Sequence, residues 1–232
     1  MYFILCARFW PPGELTQVGA ECRSFDLPGH GADGTPRGTV TAATYIRAVV
    51  EQLERLRSPV VLVGHSMAGY PISMAAQQRP EQVRHLVYFS AQARPAGQTW
   101  AQTLDPETRS TYEALAAASG DGSSTVPEGI VNSRWLSSLH PESRLAQSIR
   151  SRLTPQPLAP LFEPAAPSGD LSHIPTTYVW PTGDRQNTEL RMRSSLSNLP
   201  QGTRLVKISG DHCAMLTNPK ESALALQEIM DQ

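Results

Sequence analysis

Residues 63–69 read Val63-Gly64-His65-Ser66-Met67-Ala68-Gly69. Before them runs Pro59-Val-Val-Leu-Val-Gly64, a continuous apolar stretch of the kind found in a strand buried on both faces. After them, Ser66 to Gln78 reads as a helix that Pro80 stops. A G-x-S-x-G pattern held between a buried strand and a helix predicts a nucleophile elbow. Such a turn forces the serine into strained backbone space and lifts its hydroxyl clear of the sheet. It also sets the free N–H groups of a helix start beneath the site where negative charge would develop. Side chains at Gly64 and Gly69 would collide with the neighbouring strand and helix. The five-residue pattern alone is common; its setting between strand and helix gives it weight.

Outward from the elbow, strand and helix alternate. Phe3 to Cys6 and Glu21 to Phe25 read as strands, the second running into the turn-rich Asp26-Leu-Pro-Gly-His-Gly31. Thr41 to Arg57 reads as a helix, with Tyr45, Val49, Leu53 and Leu56 at helical spacing. Val83 to Ser90 is another strand. This order predicts a mostly parallel sheet covered on both faces, with right-handed crossovers. The rhythm breaks between about Gln92 and His173, where helix-like pieces (108–118, 130–139 and 142–153) are separated by Gly, Ser and Pro. Nearly half of the 20 prolines lie between Pro127 and Pro181, and Thr154-Pro-Gln-Pro-Leu-Ala-Pro160 cannot form a continuous helix. The expectation is a helical cap over one end of the sheet. The α/β rhythm then resumes with strands at 176–180 and 204–208 and helices at 189–199 and from Asn218-Pro-Lys-Glu221, where Asn is the cap and Pro the first helical residue.

Composition narrows the class. The 232 residues suffice for one domain with a substantial core. Twenty basic and 21 acidic residues give a formal charge of -1, which offers no bulk attraction to nucleic acid or anionic lipid. The apolar runs fall far short of the roughly 20 residues that span a bilayer. The opening MYFILCARFW has neither basic residues ahead of it nor a small-residue cleavage site, so it reads as a core strand and the expected location is cytoplasmic. Cys6, Cys22 and Cys213, with no C-x-x-C pair, give neither a disulfide framework nor a zinc site; neither metal nor cofactor is expected.

A serine hydroxyl needs a base to take its proton. Of the six histidines, His65 adjoins Ser66 and is expected to point away from it, His85 enters a buried strand, and His140 and His173 fall in or beside the cap. His212, in Ile208-Ser-Gly-Asp-His-Cys213, follows the last strand and leaves the carboxyl edge of the sheet, where Ser66 also emerges. The base in turn needs a carboxylate to hold its tautomer. Asp184, in Pro181-Thr-Gly-Asp184, meets the same edge criterion; Asp211 and Asp170 are weaker rivals.

With these residues in place the sequence resembles the small α/β-hydrolases grouped with plant methylesterases, plant hydroxynitrile lyases and bacterial alkaline esterases. The elbow, Asp26–Gly31, Leu153–Pro160, Pro181–Asp184 and Gly210–His212 carry the resemblance, which runs over nearly the whole chain. It implies an α/β-hydrolase fold: a mostly parallel six-stranded sheet flanked by helices, with residues 1–91 and 174–232 as the core and 92–173 as the inserted cap. It also implies hydrolysis of small esters without a cofactor. The first loop departs from the family. Where the family usually carries His-Gly, this chain has Ala7 and Arg8, in a loop that looks shorter. Met67 is expected to offer one oxyanion N–H and Phe9 or its neighbours the second, with Arg8 as a candidate cationic or substrate contact. Hydroxynitrile lyases carry a threonine in that loop and a lysine after the histidine, where this chain has Arg8 and Cys213.

Trp100, Trp135, Leu136, Leu158 and Phe162 are the expected pocket lining, joined by Tyr112, Leu139 and Leu161, and they suit a small hydrophobic or aromatic molecule. The leading expectation is a serine hydrolase of a small hydrophobic ester or lactone, active as a monomer or homodimer, without nucleic-acid or membrane partners, and placed in secondary metabolism. Two alternatives stand beside it. One is a non-hydrolytic biosynthetic enzyme that uses the pocket for cyclisation, dehydration or carbon–carbon cleavage; the other is a non-catalytic small-molecule-binding homologue.

Overall fold

The structure is a computed structural model and describes residues 2–6, 21–166 and 169–230. Six strands, β1 (Tyr2–Cys6), β2 (Glu21–Ser24), β3 (Val60–His65), β4 (Val83–Phe89), β7 (Thr176–Pro181) and β8 (Arg204–Ile208), form one sheet in the order β2-β1-β3-β4-β7-β8. Every neighbouring pair in it is parallel. The order reverses direction at β1 and β3, so the chain winds first to one edge and then to the other.

The central strands are apolar throughout because helices cover both of their faces. Leu62, Leu86, Tyr88, Tyr178 and Trp180 point into one core with Tyr45, Val49 and Leu53 of helix α1 (Ala42–Glu54) and Ile72 of helix α2 (Gly69–Gln78). Val61, Val63, Val87, Phe89 and Val179 alternate with them into a second core, against Leu226 and Ile229 of the last helix, Pro219–Met230. That period-2 split of one unbroken apolar run is what two-sided burial requires. Thr41 caps α1 through a reciprocal exchange with Thr44. The last helix begins at Pro219 as expected, but Asn218 turns its amide to the Glu221 carboxylate 2.5 Å away instead of capping a backbone N–H.

Between β4 and β7 lie helices α3 (Pro106–Ala118), α4 (Glu128–Ile130), α5 (Arg144–Arg150) and α6 (Ala159–Phe162). Two features there depart from the sequence reading. Helix α4 runs on as a wide π-turn, Val131–Trp135, and residues 123–124 pair antiparallel with 156–157 as strands β5 and β6. The second feature explains how the proline-rich segment is held: Pro157 faces Ser123 in the pair, and Leu158 N–H donates to the Gly122 carbonyl. Asp105 ties the insertion to the rest. It caps α3 through Thr108 N–H and accepts from Arg134 and from Arg191 of helix α7 (Glu189–Ser197). Among the described residues no helix is long and apolar enough to cross a membrane.

Candidate active site

Four consecutive strands of the sheet, β3, β4, β7 and β8, each deliver one polar side chain at their carboxyl ends: Ser66, Ser90, Asp184 and His212. At the elbow, His65 is still extended and Ser66 swings to φ 54°, a left-handed conformation that an L-residue adopts only under local constraint. The constraint is visible. The Ser66 carbonyl accepts from Gln92 N–H at 3.0 Å, and the chain packs so closely that a Cβ on Gly69 would lie 2.4 Å from the Gln92 carbonyl oxygen. A Cβ on Gly64 would meet Ile72 of α2 at 2.7 Å. Gly69→Ala is therefore expected to destabilise the protein by about 1–3 kcal/mol, as overpacking does. Urea unfolding measures this, and a wild-type midpoint would contradict the packing argument.

His212 Nε2 lies 3.0 Å from Ser66 Oγ, and His212 Nδ1 lies 2.9 Å from Asp184 Oδ2. The ring thus bridges the hydroxyl and the carboxylate through opposite nitrogens, the geometry in which an imidazole can take a proton from an alcohol while a carboxylate holds its tautomer. Asp184 is buried and fully satisfied. Oδ1 accepts from the N–H groups of Gln186 and Asn187, and Oδ2 accepts a short bond from the Ser90 hydroxyl besides the ring. Burial alone would raise its carboxyl pKa; the His212 ring and these donors outweigh burial and hold it below the usual carboxylate range.

The sequence does not single out Ser90. Its hydroxyl sits behind the ring, on Asp184 and 3.3 Å from Nδ1, and it is completely buried. It braces the acid. Ser66, by contrast, meets Nε2 and lines a cavity of about 630 Å³. In the sequence only its place after an apolar strand marks Ser90; its φ of 44° is a feature of the fold that a sequence does not display.

The loop carrying His212 is pinned from three sides. His65 does not point away from the site: its ring packs, tilted by 44°, against that of His212 with centroids 4.6 Å apart, and its Nε2 donates to the His212 carbonyl oxygen at 2.8 Å. Asp211 is buried and joins the loop to the insertion, accepting from the Ser138 N–H and hydroxyl, from Cys213 N–H and from Thr217. Trp135 accepts from Cys213 N–H through its carbonyl. Asp170, the other rival acid, faces solvent and accepts from Ser172 N–H.

Ser66, Met67 and His212 open onto the cavity with Trp100, Tyr112, Trp135, Leu136 and Leu161. Leu158 and Phe162, expected beside them, are not in the lining. Leu158 is buried in a cluster with Trp100, Tyr112 and Leu161, and Phe162 packs against that cluster, because the β5–β6 pairing turns this segment into the interior of the insertion. Leu139 packs instead against the second core. The lining adds Phe25 to Leu27 and His30 to Ala32, from the Asp26–Gly31 turn. Arg8 and Phe9 lie outside the described residues. Cys213 is buried, and burial pushes its thiol well above the ordinary value, which suits a packing role. Among the described residues no cluster of His, Cys, Asp or Glu could hold a metal ion.

Burial pushes His30, His65 and His85 down to about 4, 3 and 4. Unfolded, each would titrate near 6.5, so between about pH 6.5 and 4 the unfolded chain binds more protons than the folded one. Their unfavourable term is absent above that window and grows as the pH falls through it. The melting temperature is expected to drop steadily from pH 7 to pH 5, and His85→Gln to flatten the slope; a flat wild-type profile would contradict this.

A parallel sheet of this order, a strained serine at the β3–α2 turn, and an acid and a histidine after β7 and β8 define an α/β hydrolase. A profile of the alpha/beta hydrolase family matches residues 4–225, and the chain belongs to that family. Among its relatives, an inferred chloroplastic methylesterase of Arabidopsis thaliana is 27% identical over 229 residues, 93% of this chain. A pyrethroid hydrolase of Sphingobium wenxiniae is 34% identical over 95 residues, 40% of this chain and 32% of its own length. The chain spans 65% of the length of that plant relative. Among solved structures, an extracellular α/β-hydrolase from a Paenibacillus species, which shares structural and functional homology with a tobacco salicylic-acid-binding protein, superposes with a TM-score of 0.83 at 26% identity, covering 98% of each chain.

Proposed function

We propose that the protein is a serine hydrolase of small hydrophobic carboxylic esters or lactones, with residues 92–173 acting as the cap over its pocket. The observation that carries this reading is the line Ser66–His212–Asp184, hydrogen-bonded at 3.0 and 2.9 Å and opening onto a largely apolar cavity. His212 Nε2 takes the Ser66 proton as Oγ attacks the ester carbonyl. The tetrahedral oxyanion is met by Met67 N–H. His212 then gives the proton to the leaving alcohol and afterwards draws one from water to release the acid. The methylesterase and pyrethroid-hydrolase relatives support an ester substrate.

Hydrolysis of short-chain p-nitrophenyl esters tests this: turnover is expected in the wild type and none above background in Ser66→Ala. The first loop, with Ala7 and Arg8 in place of His-Gly, favours one second reading, a pocket turned to non-hydrolytic acid–base chemistry. That reading gains if a fluorophosphonate labels Ser66 yet no ester turns over.

A further inference from the structure

The Asp26–Gly31 turn reaches the same cavity as Ser66 and puts there a histidine that ester hydrolysis does not use. His30 lies in the cavity lining, and its Nε2 is 2.7 Å from the hydroxyl of Tyr45. Tyr45 is buried, and burial raises its phenol far above neutrality, so it keeps its single proton. Gln156 donates to that same oxygen from Nε2 at 3.4 Å. Proton accounting then fixes the ring. The Tyr45 proton needs an acceptor, because a buried donor left unpaired costs about 1–3 kcal/mol, and His30 Nε2 is the acceptor within reach. With Nε2 accepting, the neutral ring carries its hydrogen on Nδ1, which has no hydrogen-bond partner among the described residues.

We propose that His30 is a specificity-determining residue that donates from Nδ1 to a neutral oxygen acceptor (an ether, ketone or hydroxyl) at the far end of an extended ester substrate. This rests on the reading of Ser66 as the nucleophile of an ester hydrolase and names the kind of ester. The sheet supplies the scale. Ser66 follows β3 and the Asp26–Gly31 turn follows β2, two strand positions away in the order β2-β1-β3. At about 4.8 Å per strand, the carboxyl ends of β2 and β3 stand roughly 10 Å apart, and that spacing sets the reach of the substrate. An extended chain advances about 3.5 Å over three bonds, so the acceptor belongs about eight bonds from the scissile carbonyl. His30 is depressed to about 4, so at neutral pH it offers a dipole and not a cation, which favours a neutral acceptor over a carboxylate. Trp100, in the same lining, adds a buried indole N–H with no partner among the described residues, another donor and no acceptor.

The test uses two methyl esters of equal length: a straight-chain acid with a terminal methoxy group about eight bonds from the carbonyl carbon, and its all-carbon isostere. A second pair carries the same arm on the alcohol side. Binding is measured by calorimetry on the full chain carrying Ser66→Ala, so it does not depend on turnover. In one of the two pairs the ether ester is expected to bind about tenfold more tightly than its isostere, one net hydrogen bond. Adding His30→Phe is expected to erase that preference. Adding His30→Asn, whose amide nitrogen stands near the place of Nδ1, is expected to restore part of it. Equal binding within both pairs, no binding of either ester, or a preference that survives His30→Phe overturns the proposal. If the preference appears but the wild type hydrolyses none of the four, the assignment of hydrolysis falls and the acceptor site stands.

Discussion

Replacing Ser66 by alanine is expected to lower kcat/KM for ester hydrolysis by about 10⁵–10⁶-fold, down to the background that binding and the oxyanion donors sustain alone. The size of the loss follows from geometry. Ser66 Oγ is the hydroxyl at His212 Nε2, and it faces the cavity. The other serine of the cluster makes the contrast. Ser90 is fully buried and donates to Asp184, so Ser90→Ala removes one of four donors from a carboxylate that keeps the other three. Its cost is expected to be about tenfold in rate, the worth of one hydrogen bond to a charged group, with a small drop in stability. Steady-state kinetics on the two variants separates the roles. Equal losses, or a larger loss in Ser90→Ala, would contradict the assignment.

The second large effect is Asp184→Asn, expected to reduce kcat by about 10⁴-fold while the fold persists. The Gln186 and Asn187 N–H groups, which now meet Oδ1, would select the amide oxygen of the new side chain. That choice turns the amide N–H₂ towards Ser90 and His212 Nδ1. Nδ1 would have to accept, the ring hydrogen would move to Nε2, and Nε2 could no longer take the Ser66 proton. The two side chains are nearly isosteric, so circular dichroism and the melting temperature should show only a modest change. A variant that keeps more than a tenth of wild-type kcat would show that Asp184 does not set the tautomer.

What the sequence displayed depended on how local each signal was. The elbow is written in seven consecutive residues, and its glycines are required by contacts within the same strand–turn–helix unit, apart from Gly69 against Gln92. Asp184 and His212 were legible because both follow an apolar strand, and a parallel sheet brings all such ends to one edge. Ser90 follows a strand by the same rule, but a serine after a strand is unremarked until its neighbour in the sheet is known to be the strand carrying the acid. The β5–β6 pair joins two-residue segments more than thirty positions apart, one containing proline, and no periodicity can announce it. This pairing also decides the pocket. It turns Leu158 and Phe162 inward, and the wall includes the Asp26–Gly31 turn, which in sequence looks like a mere change of direction. Asp211, a rival acid by sequence, serves as the clasp between the His212 loop and Ser138.

The central claim is that one hydroxyl, that of Ser66, is activated at this site. Labelling the wild-type protein with a fluorophosphonate and locating the adduct by peptide mass mapping tests it directly. The account predicts a single adduct on the peptide containing Ser66, absent from His212→Ala. An adduct on Ser90, or none at all on a folded protein, would contradict it.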